Sequence, residues 1–100
     1  MNNSIQKIKE DLKNLEPLLK EKFKVKRIGI FGSYIRREQK KESDLDILVE
    51  FQETATLSLL DFIGLENYLS KKLRVKVDLV EKATLKPRIR KHILEEVVNL

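Results

Sequence analysis

Two stretches of the chain carry apolar residues at helical spacing, one near the start and one in the second half. Ser4 is a suitable N-cap for the first stretch and Ser58 begins the second. Because residues three or four positions apart lie on one side of a helix, each stretch predicts a helix with one apolar face. These faces comprise Ile5, Ile8, Leu12, Leu15 and Leu19, and then Leu59, Phe62, Leu65, Leu69 and Leu73. Pro17 removes a backbone donor from the first helix and predicts that it is kinked or split.

Three shorter segments are rich in aliphatic and β-branched residues, which is typical of strands. They cover residues 25–31, 44–51 and 75–80. Side chains alternate between the two faces of a strand, so Asp44, Asp46 and Glu50 share the face opposite to the apolar residues of the middle strand. A short helix over residues 33–38 and a polar loop over residues 39–43 are expected between the first two strands.

The last part of the chain predicts one more helix. Pro87 suits a first-turn position, and Ile89, Ile93 and Leu94 are expected on its buried face. Residues 97–100 either continue this helix or add a short edge strand, and the stretch 93–100 either packs on its own sheet, which we favour, or docks a partner or a second copy. The order α-β-α-β-α-β-α predicts a single α/β domain over residues 1–100, with a small mixed sheet flanked by helices.

Composition excludes several classes of site. The 100 residues include no Cys and one His, so disulfides and thiol chemistry are excluded, and histidine-based metal sites and triads are disfavoured. That histidine, His92, is expected at the surface. The net charge of +5 comes from Lys and Arg scattered through every segment, with few aromatic residues, which disfavours nucleic acid as the main partner. No apolar run approaches the ~18 residues of a membrane span, so a cytoplasmic protein is expected.

Three aspartates predict a cation site. Asp44 and Asp46 lie two positions apart on a strand and therefore project from one face. Two such carboxylates repel each other unless a cation neutralises them, and Mg²⁺ prefers oxygen ligands while keeping positions open for phosphate. Asp78 lies in an apolar strand that we expect to be buried, where an unpaired carboxylate is costly. The alternative for the first pair is two solvated acids at the start of a strand.

The turn between the first strand and the short helix has the features of a phosphate site. Gly32 permits close approach of a ligand, and the Ser33 hydroxyl can donate to a phosphate oxygen. The alternative is an ordinary tight turn with Ser33 as N-cap. Arg36 shares the helix face with Ser33, where it would either steady a phosphate or pair with Glu38 or Glu42. Followed by three carboxylates, this turn predicts Mg²⁺-dependent nucleotidyl transfer.

These segments resemble a known family. Residues 31–36 (FGSYIR), 43–51 (SDLDILVEF) and 77–80 (VDLV), with 85–89 (LKPRI), are similar to the minimal nucleotidyltransferases of the DNA polymerase β-like superfamily. The resemblance implies the nucleotidyltransferase fold and a site in which Gly32 and Ser33 hold the triphosphate of ATP. It also implies that Asp44, Asp46 and Asp78 bind two Mg²⁺ ions and carry the catalysis.

The same resemblance implies a partner and a role. Such proteins are typically paired with a HEPN-domain ribonuclease toxin, which they neutralise by transferring AMP to a tyrosine hydroxyl, so this chain is expected to be the antitoxin. Arg37 departs from the pattern, because the family usually has Gly there, and the following loop is expected to differ in shape. Three alternatives stay open: a module that neutralises its partner by contact alone, nucleotidyl transfer to a small molecule or an RNA end, and a basic nucleic-acid binder.

Overall fold

The computed structural model describes residues 5–36, 38 and 44–100. The helices in this part are α1 (Ile5–Lys22), α2 (Ser33–Arg36), α3 (Leu59–Leu73) and α4 (Pro87–Glu96). The strands are β1 (Val25–Phe31), β2 (Leu45–Phe51), β3 (Val77–Glu81) and β4 (Val98–Asn99), and a 3₁₀ turn covers Lys82–Thr84. Ser4, Arg37 and the predicted loop over residues 39–43, which includes Glu42 and Ser43, lie outside the described residues.

The strands form one mixed sheet in the order β3-β2-β1-β4. β1 runs antiparallel to both β2 and β4, whereas β2 and β3 are parallel. The small mixed sheet predicted from the sequence is therefore confirmed, and the chain end takes the edge-strand option. The Leu100 amide also donates to the Ile28 carbonyl at 3.1 Å, so the end of the chain packs on its own sheet.

The hydrophobic core lies between one face of this sheet and the helices α1 and α3. Its fully buried members include Ile8, Leu12, Leu19, Leu65 and Leu69 from the helices and Ile28, Ile30, Leu45, Ile47 and Val49 from the strands. α3 begins with a capping box in which Ser58 and Asp61 each accept a hydrogen bond from the backbone amide of the other, at 3.1 and 3.0 Å. This box fixes where the helix starts.

The helices differ from two expectations. α1 is not split at Pro17, because Pro17 lies on the exposed side and Ile8, Leu12 and Leu19 hold the helix to the core on the other; the kink stays a prediction. α4 has no fully buried side chain: Ile89 is 50% exposed and Leu94 is 41% exposed, while Ile93 is partly buried. No described helix combines the length and the apolar composition needed to cross a membrane.

β3 is an edge strand whose outer side is satisfied by α3. It covers Val77–Glu81, shifted towards the C-terminus relative to the predicted span. The Val77 amide donates to Ser70 Oγ and the Leu79 amide donates to Glu66 Oε2, both at 2.9 Å. These side chains occupy backbone donors that an unpaired edge would otherwise offer to another strand.

Candidate active site

The predicted carboxylates meet where the parallel strands β2 and β3 lie side by side. Asp46 and Asp78 are directly paired in the register of these strands, and Phe31 at the end of β1 is opposite Asp46 on the other side. Asp44 precedes β2 by one residue. The strand alternation predicted from the sequence therefore brings the aspartates to one place on the sheet.

Asp46 is the electrostatic centre of this group. Burial raises the pKa of its carboxyl to about 6, and repulsion from Asp78 and from Asp44 adds to the shift, while Arg36 opposes it. Partial removal of water and nearby negative charges both disfavour the ionised form of a carboxyl, which is why its pKa is raised. Strongly perturbed groups of this kind are frequent at functional sites.

Asp78 differs from the expectation in one respect. Its side chain is exposed, although Val77 and Leu79 on either side of it are buried. The reason is that β3 is an edge strand with one face towards the core, so alternate side chains point away from it. Asp78 is thus accessible to a molecule that approaches the sheet. The argument that a buried carboxylate must be paired or bound to a metal ion therefore does not apply to it.

Glu50 lies in β2, four residues beyond Asp46 and outside the aspartate group. Its carboxylate is 3.6 Å from Lys82 Nζ and 4.0 Å from Lys26 Nζ. Glu50 follows Val49, which is buried in the core, so it lies on the aspartate face as predicted, and its two ion pairs indicate a structural role.

Gly32 places the turn directly against Asp46. Its φ is +82°, a conformation that residues with a side chain rarely adopt. A Cβ built on Gly32 would also overlap the Asp46 carboxylate, lying 2.9 Å from its Cγ. The turn and the carboxylate group are therefore parts of one site, and Ser33 begins α2 at its border.

The two groups of the turn that suit an anion are both bound to Glu96, a residue that the sequence analysis missed. Glu96 Oε2 accepts the Gly32 amide at 3.0 Å, and Glu96 Oε1 accepts Arg36 Nη1 at 2.5 Å. Arg36 Nε also donates to Glu38 at 2.8 Å, which confirms the pairing considered as an alternative for this arginine. Glu38, and then Glu96, raise the pKa of Arg36. More than 60 residues separate Glu96 from the turn, so no local sequence signal could have indicated the contact.

A cleft of about 370 Å³ lies over this group. Its lining includes Gly32, Arg36, Asp46, His92, Ile93 and Glu96. His92 is exposed, as predicted, but the cleft gives it a place beside the site. A larger groove of about 440 Å³ lies between α3 and β3 and is lined mainly by apolar residues; it includes none of the three aspartates.

The three aspartates carry the kind of ligand that Mg²⁺ takes, but in this structure they do not enclose an ion. In this conformation no three carboxylates or histidines among residues 5–36, 38 and 44–100 converge closely enough to enclose a metal ion. The mutual repulsion recorded in the pKa of Asp46 nevertheless shows that these acids lie within electrostatic reach of one another. Carboxylate oxygens are the ligands that Mg²⁺ prefers, and a bound cation would relieve the repulsion.

Comparison with known proteins gives a consistent result. The family model for the nucleotidyltransferase domain matches residues 7–100. Protein adenylyltransferase MntA of Thermococcus cleftensis is 55% identical over 80 residues, which cover 80% of this chain and 79% of that protein.

Two solved structures resemble the fold closely. One, assigned as a minimal nucleotidyltransferase, has a TM-score of 0.73 and 35% identity, covering 95% of this chain and 90% of that one. The other is a toxin–antitoxin crystal structure with AMP-PNP, with a TM-score of 0.71 and 26% identity, covering 89% of this chain and 70% of that one.

Proposed function

Because this chain belongs to the nucleotidyltransferase domain family and is a protein adenylyltransferase within it, we propose that it transfers AMP from ATP to a hydroxyl group, a tyrosine in the first instance, of a HEPN-domain toxin. It would thereby act as the antitoxin of a toxin–antitoxin pair. The observation that supports this best is the contact between the Gly32 turn and Asp46, with Asp78 paired beside it. A turn whose donors suit an anion, in contact with one carboxylate of a group of three, would suit a metal-bound triphosphate.

The residues of the turn and the three aspartates each have a proposed task; of these residues, Gly32, Arg36 and Asp46 line the cleft. The Gly32 amide, the Ser33 hydroxyl and the Arg36 guanidinium would hold oxygens of the triphosphate. Asp44, Asp46 and Asp78 would hold Mg²⁺, which when bound supplies charge neutralisation for the phosphates and a lower pKa for the acceptor hydroxyl.

The exposed position of Asp78 suits contact with the acceptor. We assign it the task of orienting the acceptor hydroxyl and taking up its proton. The acceptor oxygen then forms a bond to the α-phosphorus, the bond from that phosphorus to the β-phosphate breaks, and pyrophosphate leaves with the electron pair. The residues contribute mainly by positioning the reactants and balancing charge. Since ATP is the donor, we place the reaction in the cytoplasm.

Label transfer tests this function. Wild type and the Asp44→Asn/Asp46→Asn variant are incubated with Mg²⁺, the protein encoded beside this chain and ATP labelled at either the α- or the γ-phosphate. We expect a protein band with α-label only, produced by the wild type and lost in the variant. The control is Glu10→Gln/Glu53→Gln, which removes two exposed carboxylates remote from the cleft and should retain transfer.

The same experiment separates the alternatives. Label in an RNA or small-molecule fraction would indicate a different acceptor. Label could also be absent from every fraction while the wild type and the variant bind the partner equally. This result would contradict the proposed transferase activity and support neutralisation by contact alone.

A further inference from the structure

Glu96 closes the anion-binding side of the cleft. Its two carboxylate oxygens are used separately, one by the Gly32 amide and the other by the Arg36 guanidinium. A carboxylate that accepts a backbone amide and a guanidinium at once uses the same donors that a phosphate oxygen would use. Two of the three groups assigned to the triphosphate, the Gly32 amide and the Arg36 guanidinium, are therefore occupied in this conformation by a side chain of the protein.

The contact is an ionic one. Desolvation alone would raise the pKa of Glu96, but the hydrogen bonds from Arg36 and from Gly32 outweigh it and lower the pKa. Glu96 therefore carries its negative charge at neutral pH. A triphosphate, which is also an anion, cannot share these donors with it without strong repulsion.

The position of Glu96 at the end of α4 allows its side chain to leave the Gly32 turn. It is the last residue of α4, and none of the side chains of this helix is fully buried. β4 follows after Val97 and stays paired with β1 through Gly29 and Ile30. A change at Glu96 is thus possible without loss of the sheet or the core.

We propose that Glu96 is an internal competitor of the nucleotide: while the cleft is empty it occupies the Gly32 amide and the Arg36 guanidinium, and the triphosphate replaces it. This inference rests on the proposed function. It has two consequences, namely that Glu96 lowers the affinity for ATP by competition and that ATP binding releases the end of α4.

Variants at position 96 test the competition. Glu96→Gln removes the charge, and Glu96→Asp keeps the charge but is too short to reach both donors. Glu95→Gln removes a charge at the exposed neighbouring position and serves as the matched control. The affinity for ATP with Mg²⁺ is measured by isothermal titration calorimetry at fixed ionic strength, and KM and kcat are measured in the label-transfer assay.

We expect Glu96→Gln and Glu96→Asp each to bind ATP about three- to tenfold more tightly than the wild type, a range set by a partly exposed ionic contact. The KM for ATP should fall by a similar factor while kcat changes less than about twofold. Glu95→Gln should match the wild type. Because Glu96→Asp keeps its charge, tighter binding by this variant cannot come from charge removal alone.

Two results would overturn the inference, and they are distinguishable. If the wild type binds ATP and neither substitution at position 96 tightens it, Glu96 does not compete with the triphosphate and the inference alone fails. If the wild type and both variants all fail to bind ATP, the proposed function fails together with the inference.

Discussion

Gly32 and Asp46 are in such close contact that position 32 excludes a side chain for two independent reasons. The backbone φ of +82° disfavours any residue with a Cβ, and a Cβ there would overlap the Asp46 carboxylate. Neither reason concerns the stability of the core, since the contact lies in the cleft. The relationship couples the shape of the turn to the position of the most perturbed carboxyl in the site.

Gly32→Ala is therefore expected to displace Asp46 or distort the turn. We expect transfer activity to fall at least about 100-fold, because small displacements of reacting groups have effects of that order. The free energy of unfolding should fall by about 1 to 3 kcal/mol, which is the usual cost of one strained backbone conformation. Label transfer and urea unfolding measure the two effects.

Gly64→Ala is the matched control for this substitution. Gly64 lies inside α3, and an added Cβ meets no atom within 4 Å. Ala in a helix interior is about 0.5 to 1 kcal/mol more favourable than Gly, so this variant should be more stable and fully active. Wild-type activity in Gly32→Ala would contradict the role assigned to the contact.

The raised pKa of Asp46 predicts how stability depends on pH in the metal-free protein. The folded value of about 6 exceeds the ordinary value of 3.8, so the folded state binds more protons between these limits. The contribution of Asp46 to the free energy of unfolding is therefore greatest below pH 3.8 and declines as the pH rises towards about 6. Asp46→Asn removes this decline, and its unfolding free energy should exceed that of the wild type at pH 7 in EDTA.

Urea unfolding of both proteins across this range of pH gives the difference directly. Comparing the two cancels the titration of groups remote from Asp46, whereas the charged neighbours Asp78, Asp44 and Glu96 contribute to the difference together with Asp46. Added Mg²⁺ should stabilise the wild type and leave Asp46→Asn nearly unchanged. A pH-independent difference between the two proteins would contradict the environment assigned to Asp46.

Most helices and strands were predictable because their pattern is local. The apolar positions of α1 and α3 and the alternation of β2 are repeated within a few residues, and the structure confirms all three except at Leu59, which is 73% exposed at the start of α3. α4 has the same kind of spacing, yet Ile89 and Leu94 are exposed. Spacing shows that a helix has an apolar stripe, but whether another element covers that stripe is decided by tertiary structure.

Part of the candidate site was also predictable from local patterns, and part was not. Asp44, Asp46 and the Gly32 turn follow from strand alternation and turn chemistry, and the structure brings them together. The exposure of Asp78 follows from its place on the face of β3 opposite to the core, whereas the prediction treats this strand as buried on both faces. Glu96 reaches the turn through the path of α4 across the sheet, which no nearby residue specifies.

Pro17 shows that a strong local signal can be overruled. The proline lies within a continuous α1 and forgoes one intrahelical hydrogen bond, while the buried side chains on the other side keep the helix together. Pro17→Ala should raise the free energy of unfolding by about 1 to 3 kcal/mol with transfer unchanged. Pro87→Ala is the control, because Pro87 lies in the first turn of α4, where no such bond is lost. Equal thermal stability of Pro17→Ala and the wild type would show that α1 has adapted to the proline at no cost.

The hydrogen bond from the Leu79 amide to Glu66 predicts a link between α3 and the site. Glu66→Ala leaves this amide without its partner, which should lower the free energy of unfolding by about 1 to 2 kcal/mol. Transfer should also decrease, because Asp78 lies between Val77 and Leu79 on the strand that these bonds hold. Glu66→Gln keeps an acceptor oxygen and should retain most of both properties, while Asn67→Ala alters an exposed neighbour and should change neither. Chemical unfolding and kcat for label transfer measure the effects, and a Glu66→Ala protein that equals the wild type in both would show that β3 holds Asp78 without support from α3.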